Sequence, residues 1–147
     1  MIKIINVIIN EDSLKMTSLE SITGDIYFAV GDEYFPEPDW LDFPVVILTW
    51  WCQEILALTT YSEKCKFLFM DGPLLARGTK KGNDIIELEF VQERLNGDEK
   101  LFTATCSIKQ FKKSLLRASK KLLRAIEEKK WDTPDVQELK RVTSLMS

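Results

Sequence analysis

The chain has 147 residues, 45% of them hydrophobic and 29% charged, with six glycines and five prolines. That is the size and balance of one globular domain, able to bury roughly 70% of its unfolded surface, and it excludes collagen-like, low-complexity and disordered classes. Histidine is absent, which removes the commonest general base, the commonest zinc ligand and the Ser-His and Cys-His nucleophile pairs.

The net charge of −3 hides a division between the two parts of the chain. Residues 1–62 carry two basic and ten acidic side chains, or −8, and the remainder carries eighteen basic and thirteen acidic, or +5. Such polarity steers partners without dictating a fold. The opening MIKIINVIINEDSLK lacks a basic segment followed by a long apolar one, so it reads as a strand and not as a secretion signal. The apolar run Phe43 to Gln53 is closed by Asp42 and Glu54 and has about half of the roughly 20 residues a membrane span needs. Cys52, Cys65 and Cys106 are odd in number, widely spaced and set in apolar surroundings, the pattern of buried reduced thiols in a cytoplasmic protein.

Taken in order, Ile2 to Ile9 is β-branched and ends at the turn-prone Asn10-Glu11-Asp12, predicting a strand covered on both faces. Leu19 to Val30 is a second strand with a bend near Gly24-Asp25, and Gly31-Asp32 turns it into Glu33-Tyr34-Phe35. Pro36 and Pro38 stop the pairing. Residues Asp39 to Thr60 form the densest apolar stretch and hold three of the four tryptophans, predicting a central helix. Asp39 caps it, or Asp42 starts it with Pro44 close behind. Trp50 and Trp51 point about 100° apart, so a helix burying both is covered on more than one side. Asp42, Val46, Thr49, Gln53 and Thr60 form the strip left for solvent.

A meander follows. Cys65 to Met70 pairs with Leu74 to Thr79 across Asp71-Gly72-Pro73, Lys80 to Asp84 turns, Ile85 to Arg94 returns, and Asn96-Gly97 leads into Leu101 to Ile108. Phe111, Leu115, Ala118, Leu122 and Ile126 then recur at helical spacing over Lys109 to Lys130, with Lys113, Arg117, Lys120, Lys121 and Arg124 on the opposite arc. Thr133-Pro134 supplies the cap and first turn of a short last helix through about Leu145. The expected fold is α+β, one domain over residues 1–147, with an antiparallel sheet of about five to seven strands. The central apolar helix and the long C-terminal helix pack on that sheet.

Three segments compete for function. The stretch GDEYFPEPDWLDF gathers Asp32, Glu33, Glu37, Asp39 and Asp42 without the opposed carboxylates of a hydrolase or the ligand spacing of a metal loop. It reads as a solvated loop with helix caps, as a cation site, or as a partner-binding surface anchored by Tyr34, Phe35 and Trp40. The Lys113 to Arg124 stripe is either the polar side of an amphipathic helix or a grip for nucleic acid. The acidic pI of 5.1 and the lack of interleaved aromatics favour the former. DGPLLARG lacks the Gly-Lys-Ser/Thr ending of a phosphate loop and reads as a hairpin.

FPEPDWLDFPVVILTWW, then FLFMDGP, then SLLRASKKLLRAIEEKKWD resemble the small bacterial immunity proteins that protect a producer cell from a polymorphic or contact-dependent toxin. The resemblance implies a non-enzymatic cytoplasmic protein without cofactor or metal, binding its toxin stoichiometrically, the toxin often being a basic nuclease. It points to Asp32, Glu33, Tyr34, Glu37, Asp39, Trp40 and Asp42 as the binding residues. The alternatives are a nucleic-acid-binding module using the basic face of the 109–130 helix, and a structural subunit with no toxin partner.

Overall fold

The computed structural model describes residues 1–60, 62–70 and 72–147, the side chains at 59 and 60 excepted. It is an α+β fold with two antiparallel four-stranded sheets and three helices among the described residues. The first sheet holds β1 (Ile5–Met16), β2 (Ile22–Val30), β3 (Glu33–Phe35) and β4 (Leu41–Asp42), with β2 pairing β1 along one edge and β3, then β4, along the other. The central helix α1 (Pro44–Thr60) follows, and the second sheet is the meander β5 (Lys64–Leu68), β6 (Leu74–Gly82), β7 (Ile85–Gln92) and β8 (Glu99–Ser107). Helices α2 (Ile108–Glu128) and α3 (Pro134–Met146) complete the chain.

The strands divide into two sheets where one was expected, because Pro36, Pro38 and all of α1 lie between the first strands and the meander. Among the described residues only the N-terminal tip joins the sheets by backbone pairing, through a parallel bridge of Ile2 to Thr105 in which Lys3 N donates to Thr105 O at 2.7 Å. β1 also runs beyond its expected end. Asn10 Oδ1 accepts from Asp12 N and Ser13 Oγ donates to Asn10 O, so the turn-prone trio makes an irregularity inside the strand and pairing resumes at Lys15. β2 starts at Ile22 and leaves Leu19 exposed in the Thr17–Ser21 turn. The expected bend falls at Gly24, where a Cβ would come within 2.7 Å of the Leu14 side chain. Asp71, from the expected Asp71-Gly72-Pro73 turn, lies outside the described residues.

Helix α1 begins later than either of its expected caps. Phe43 O accepts from Ile47 N at 3.0 Å and Pro44 takes the first helical position, where its missing N–H costs nothing. Asp39 sits five residues before Pro44 at φ 63°, too far ahead of the helix for the cap position. Asp42 closes β4 and accepts from Phe43 N at 2.9 Å. The expected solvent strip is largely covered: Asp42 and Thr49 are buried, Val46 is half-buried and Gln53 is exposed, while the Thr60 side chain is outside the described set. α3, β5, α2 and β2 all pack against α1.

The tryptophan pair is split accordingly. Trp51 is fully buried, stacks on Phe28 at 4.4 Å between centroids, and meets Phe67 and Phe69 edge-on. Trp50 is half-buried. Phe111 brings α2 into the same cluster at 4.9 Å from Phe67, and Phe35 and Phe90 extend it under the second sheet at 5.0 Å. The last two helices start on hydroxyl caps. Ser107 Oγ accepts from Gln110 N and α2 begins at Ile108, one residue before the expected start, and Thr133 Oγ1 accepts from Val136 N with Pro134 next, as its sequence indicates.

Two of the sheet edges are sealed by helix side chains instead of further strands. On β1, Gln110 holds Ile5, Ser114 Oγ accepts from Val7 N at 2.8 Å, and Lys121 Nζ donates to Ile9 O at 3.1 Å. On β5, Glu54 Oε1 accepts from Lys66 N at 2.7 Å and Trp51 Nε1 donates to Leu68 O at 2.8 Å. An open strand edge is a template for unwanted pairing, and these side chains close most of it.

Candidate functional site: the outer face of the first sheet

Strand alternation decides what the first sheet shows to solvent. Ile5, Val7 and Ile9 of β1 and Ile26, Phe28 and Val30 of β2 turn inward and are buried. Their neighbours turn outward in register, Asn6 opposite Ala29, Ile8 opposite Tyr27 and Asn10 opposite Asp25. β3 adds Tyr34 beside Ala29, and β4 adds Leu41 beside Asp25. β1 is not buried on both sides, since its outward Asn6 and Ile8 are half-buried and Asn10 is exposed, and around it Ile4 is 63% exposed, Leu41 59% and Tyr34 52%. Tyr27 and Tyr34 meet edge-to-face at 6.0 Å, giving the patch an aromatic centre.

Acidic groups rim the patch. Asp32 stands exposed in the β2–β3 turn, Glu33 is exposed at the start of β3 opposite Val30, Glu37 lies between Pro36 and Pro38, and Asp39 is exposed in the loop leading into β4. None of these four, nor Asp25, makes an ion pair with a basic side chain among the described residues. Their field is felt on the sheet. The Asp25 carboxyl is pushed above the usual carboxylate range by burial and then by the Asp39 charge, and an Asn10 hydrogen bond opposes this. The Tyr27 phenol is raised by burial, then by Asp39, Tyr34 and Asp25. An uncompensated negative field of this kind lowers the cost of bringing in a cation.

The residues expected to bind therefore separate. Asp32, Glu33, Tyr34, Glu37 and Asp39 are exposed, with Tyr34 on the patch opposite Ala29 and Asp39 near enough to act on Asp25 and Tyr27. Trp40 and Asp42 are built into the fold: Trp40 Nε1 donates to Asp42 Oδ2 at 3.0 Å, Trp40 O accepts from Ile26 N, its ring meets Phe69, and Asp42 is only 3% exposed. Phe35, also considered as an anchor, is 1% exposed in the core. Ile4, Ile8, Asp25, Tyr27 and Leu41 were missed. The signal for them was the period-two pattern of β1 and β2 itself, in which the outward set Asn6, Asn10, Asp25 and Tyr27 carries the polar groups.

Elsewhere the chemistry is muted. The three thiols are buried and pushed up by desolvation, Cys52 and Cys106 to about 11 and Cys65 to about 12, so they stay protonated at neutral pH. Among the described residues, no three Cys, Asp or Glu side chains converge as a cation site, and no helix is long and apolar enough to cross a membrane. The basic arc of α2 is exposed throughout, and Lys121 alone of its five cations is ion-paired among the described residues, 3.4 Å from Glu11.

The site and fold thus define an α+β protein that presents an open, aromatic, acid-rimmed sheet face. The chain matches no protein-family model, no curated protein and no solved structure.

Proposed function

We propose that this chain is a binding protein without catalysis of its own, one that neutralises a basic toxin domain by stoichiometric association through the outer face of the first sheet. The observation that carries this is the exposed Tyr34, Leu41 and Ile4 around the half-buried Tyr27, together with the exposed carboxylates of Asp32, Glu33, Glu37 and Asp39, none of them ion-paired among the described residues. Aromatic anchors inside a charged border supply affinity from the centre and steering from the edge. The likeness to immunity proteins names the biological setting, a cytoplasmic antidote kept with its toxin. Its sequence support includes the acidic approach to α1, which is part of the same surface. Co-expression with the product of the reading frame immediately upstream of its gene tests the proposal. Rescue of growth together with a stoichiometric complex is expected; a toxic upstream product that the chain neither binds nor silences would refute it.

A further inference from the structure

A groove of about 200 Å³ lies between the outer edge of β1 and α2, lined by Val7, Ile8, Ile9, Ser114, Arg117 and Lys121 over a floor that includes Ala118. It opens because the helix seal on β1 skips one step. Ile26 N donates to Trp40 O, away from β1, so Ile9, paired opposite Ile26, turns its own N–H and C=O to the outer edge. Val7 does the same two residues earlier. Ser114 takes Val7 N and Lys121 takes Ile9 O, and Ala118, one turn between them, is too short to reach the strand. Val7 C=O and Ile9 N–H therefore face the groove without a partner among the described residues.

These two groups flank Ile8, and a carbonyl at one neighbour with an N–H at the other is the pair that a single extended residue bridges in parallel pairing. Its own N–H donates to the first and its C=O accepts from the second. The chain uses a parallel bridge once already, at Ile2 and Thr105. A residue seated so on β1 runs parallel to it, which sends its carbonyl end toward Ile9 and the Lys121 ammonium. Arg117 lines the same groove with no ion pair among the described residues, and Lys121, bonded to Ile9 O and Glu11, has a third N–H to give. Two cations at the carbonyl end suit a carboxylate there. The need for an N–H to meet Val7 C=O argues against a bare oxyanion. Upstream of Val7 the edge is closed by Ser114 and Gln110, so the ligand contributes one residue and then leaves the groove.

We propose that the β1–α2 groove captures the carboxyl-terminal residue of a peptide, its N–H on Val7 C=O and its carboxylate on Ile9 N–H, Arg117 and Lys121. This surface is the sheet edge rather than the acid-rimmed face, and it stands or falls apart from the toxin reading. The test is an amide-resolved NMR titration of the full chain with acetyl-Gly-Ala bearing a free carboxylate, and with the same peptide as its terminal amide. The expected result is a saturable shift of the Ile9 amide with the acid and about tenfold or weaker binding of the amide. Arg117→Gln should weaken the acid by a similar factor, Lys113→Gln on the same arc but outside the groove should leave it unchanged, and Glu11→Gln, which releases Lys121, should tighten it. Equal binding of acid and amide, an Arg117→Gln titration matching wild type, or an equally strong Ile9 shift with inorganic phosphate would overturn the assignment.

Discussion

Gln110 holds both backbone groups of Ile5 at once: its Oε1 accepts from Ile5 N at 2.9 Å and its Nε2 donates to Ile5 O at 2.6 Å. One side chain of α2 thereby reproduces what a neighbouring strand would offer, 105 residues away in sequence. Gln110→Ala leaves two partly buried backbone groups unsatisfied, so about 2 kcal/mol of stability should be lost. Gln110→Glu keeps the acceptor and loses the donor, and should fall between. Urea unfolding followed by far-UV circular dichroism checks the ranking.

The two adjacent tryptophans should behave oppositely. Trp51 is fully buried and donates its indole N–H to Leu68 O, so Trp51→Ala is expected to cost about 3–5 kcal/mol. Trp50 is half-buried on the rim of α1, and Trp50→Ala should stay within about 1 kcal/mol of wild type. Equal losses in denaturant midpoint would contradict the burial assigned to the pair.

Thr143 in α3 is 6% exposed, and its Oγ1 has no hydrogen-bond partner among the described residues. A buried hydroxyl without a partner gives up hydration for nothing, so the near-isosteric Thr143→Val should stabilise the fold by about 1 kcal/mol. The readout is an increased melting temperature with the far-UV spectrum unchanged.

Asp25 supplies a pH prediction with a definite sign. Its folded-state pKa is raised, by burial first and the Asp39 charge second, above the ordinary 3.8. The folded state therefore binds the proton more tightly than the unfolded chain, and this contribution favours folding at low pH and fades as pH climbs from about 4 through the folded value. Asp25→Asn removes the titration. It should stabilise the protein at neutral pH, with the gain shrinking on acidification toward pH 4, in paired urea titrations.

Much of the architecture was legible from local patterns. The apolar spacing of Phe111, Leu115, Ala118, Leu122 and Ile126 located α2, Thr133-Pro134 located the start of α3, and the turn residues placed the meander. What was not legible depends on contacts distant in sequence. The division into two sheets follows from where α1 crosses, and the burial of Thr49 accompanies the packing of α1 against α3, β5, α2 and β2 together. Asp39 and Asp42 carry the residue type of a cap but not the position, because Pro44 starts the helix itself. The acidic loop was visible as composition. Its aromatic and apolar counterpart on β1, β2 and β4 was not, since three strands separated in the chain assemble it only on folding.

The central claim is that the outer face of the first sheet recognises a basic protein. Its most direct measurement is the association rate of the chain with a toxin domain that it is shown by co-expression to neutralise, across a range of salt, for wild type and for the triple reversal Asp32→Lys, Glu33→Lys and Glu37→Lys. Those side chains are exposed and outside the core, so the variant should fold normally. The expected result is a rate reduced by about tenfold or more at low salt and a flattened salt dependence. A rate and a salt slope equal to wild type would contradict the account.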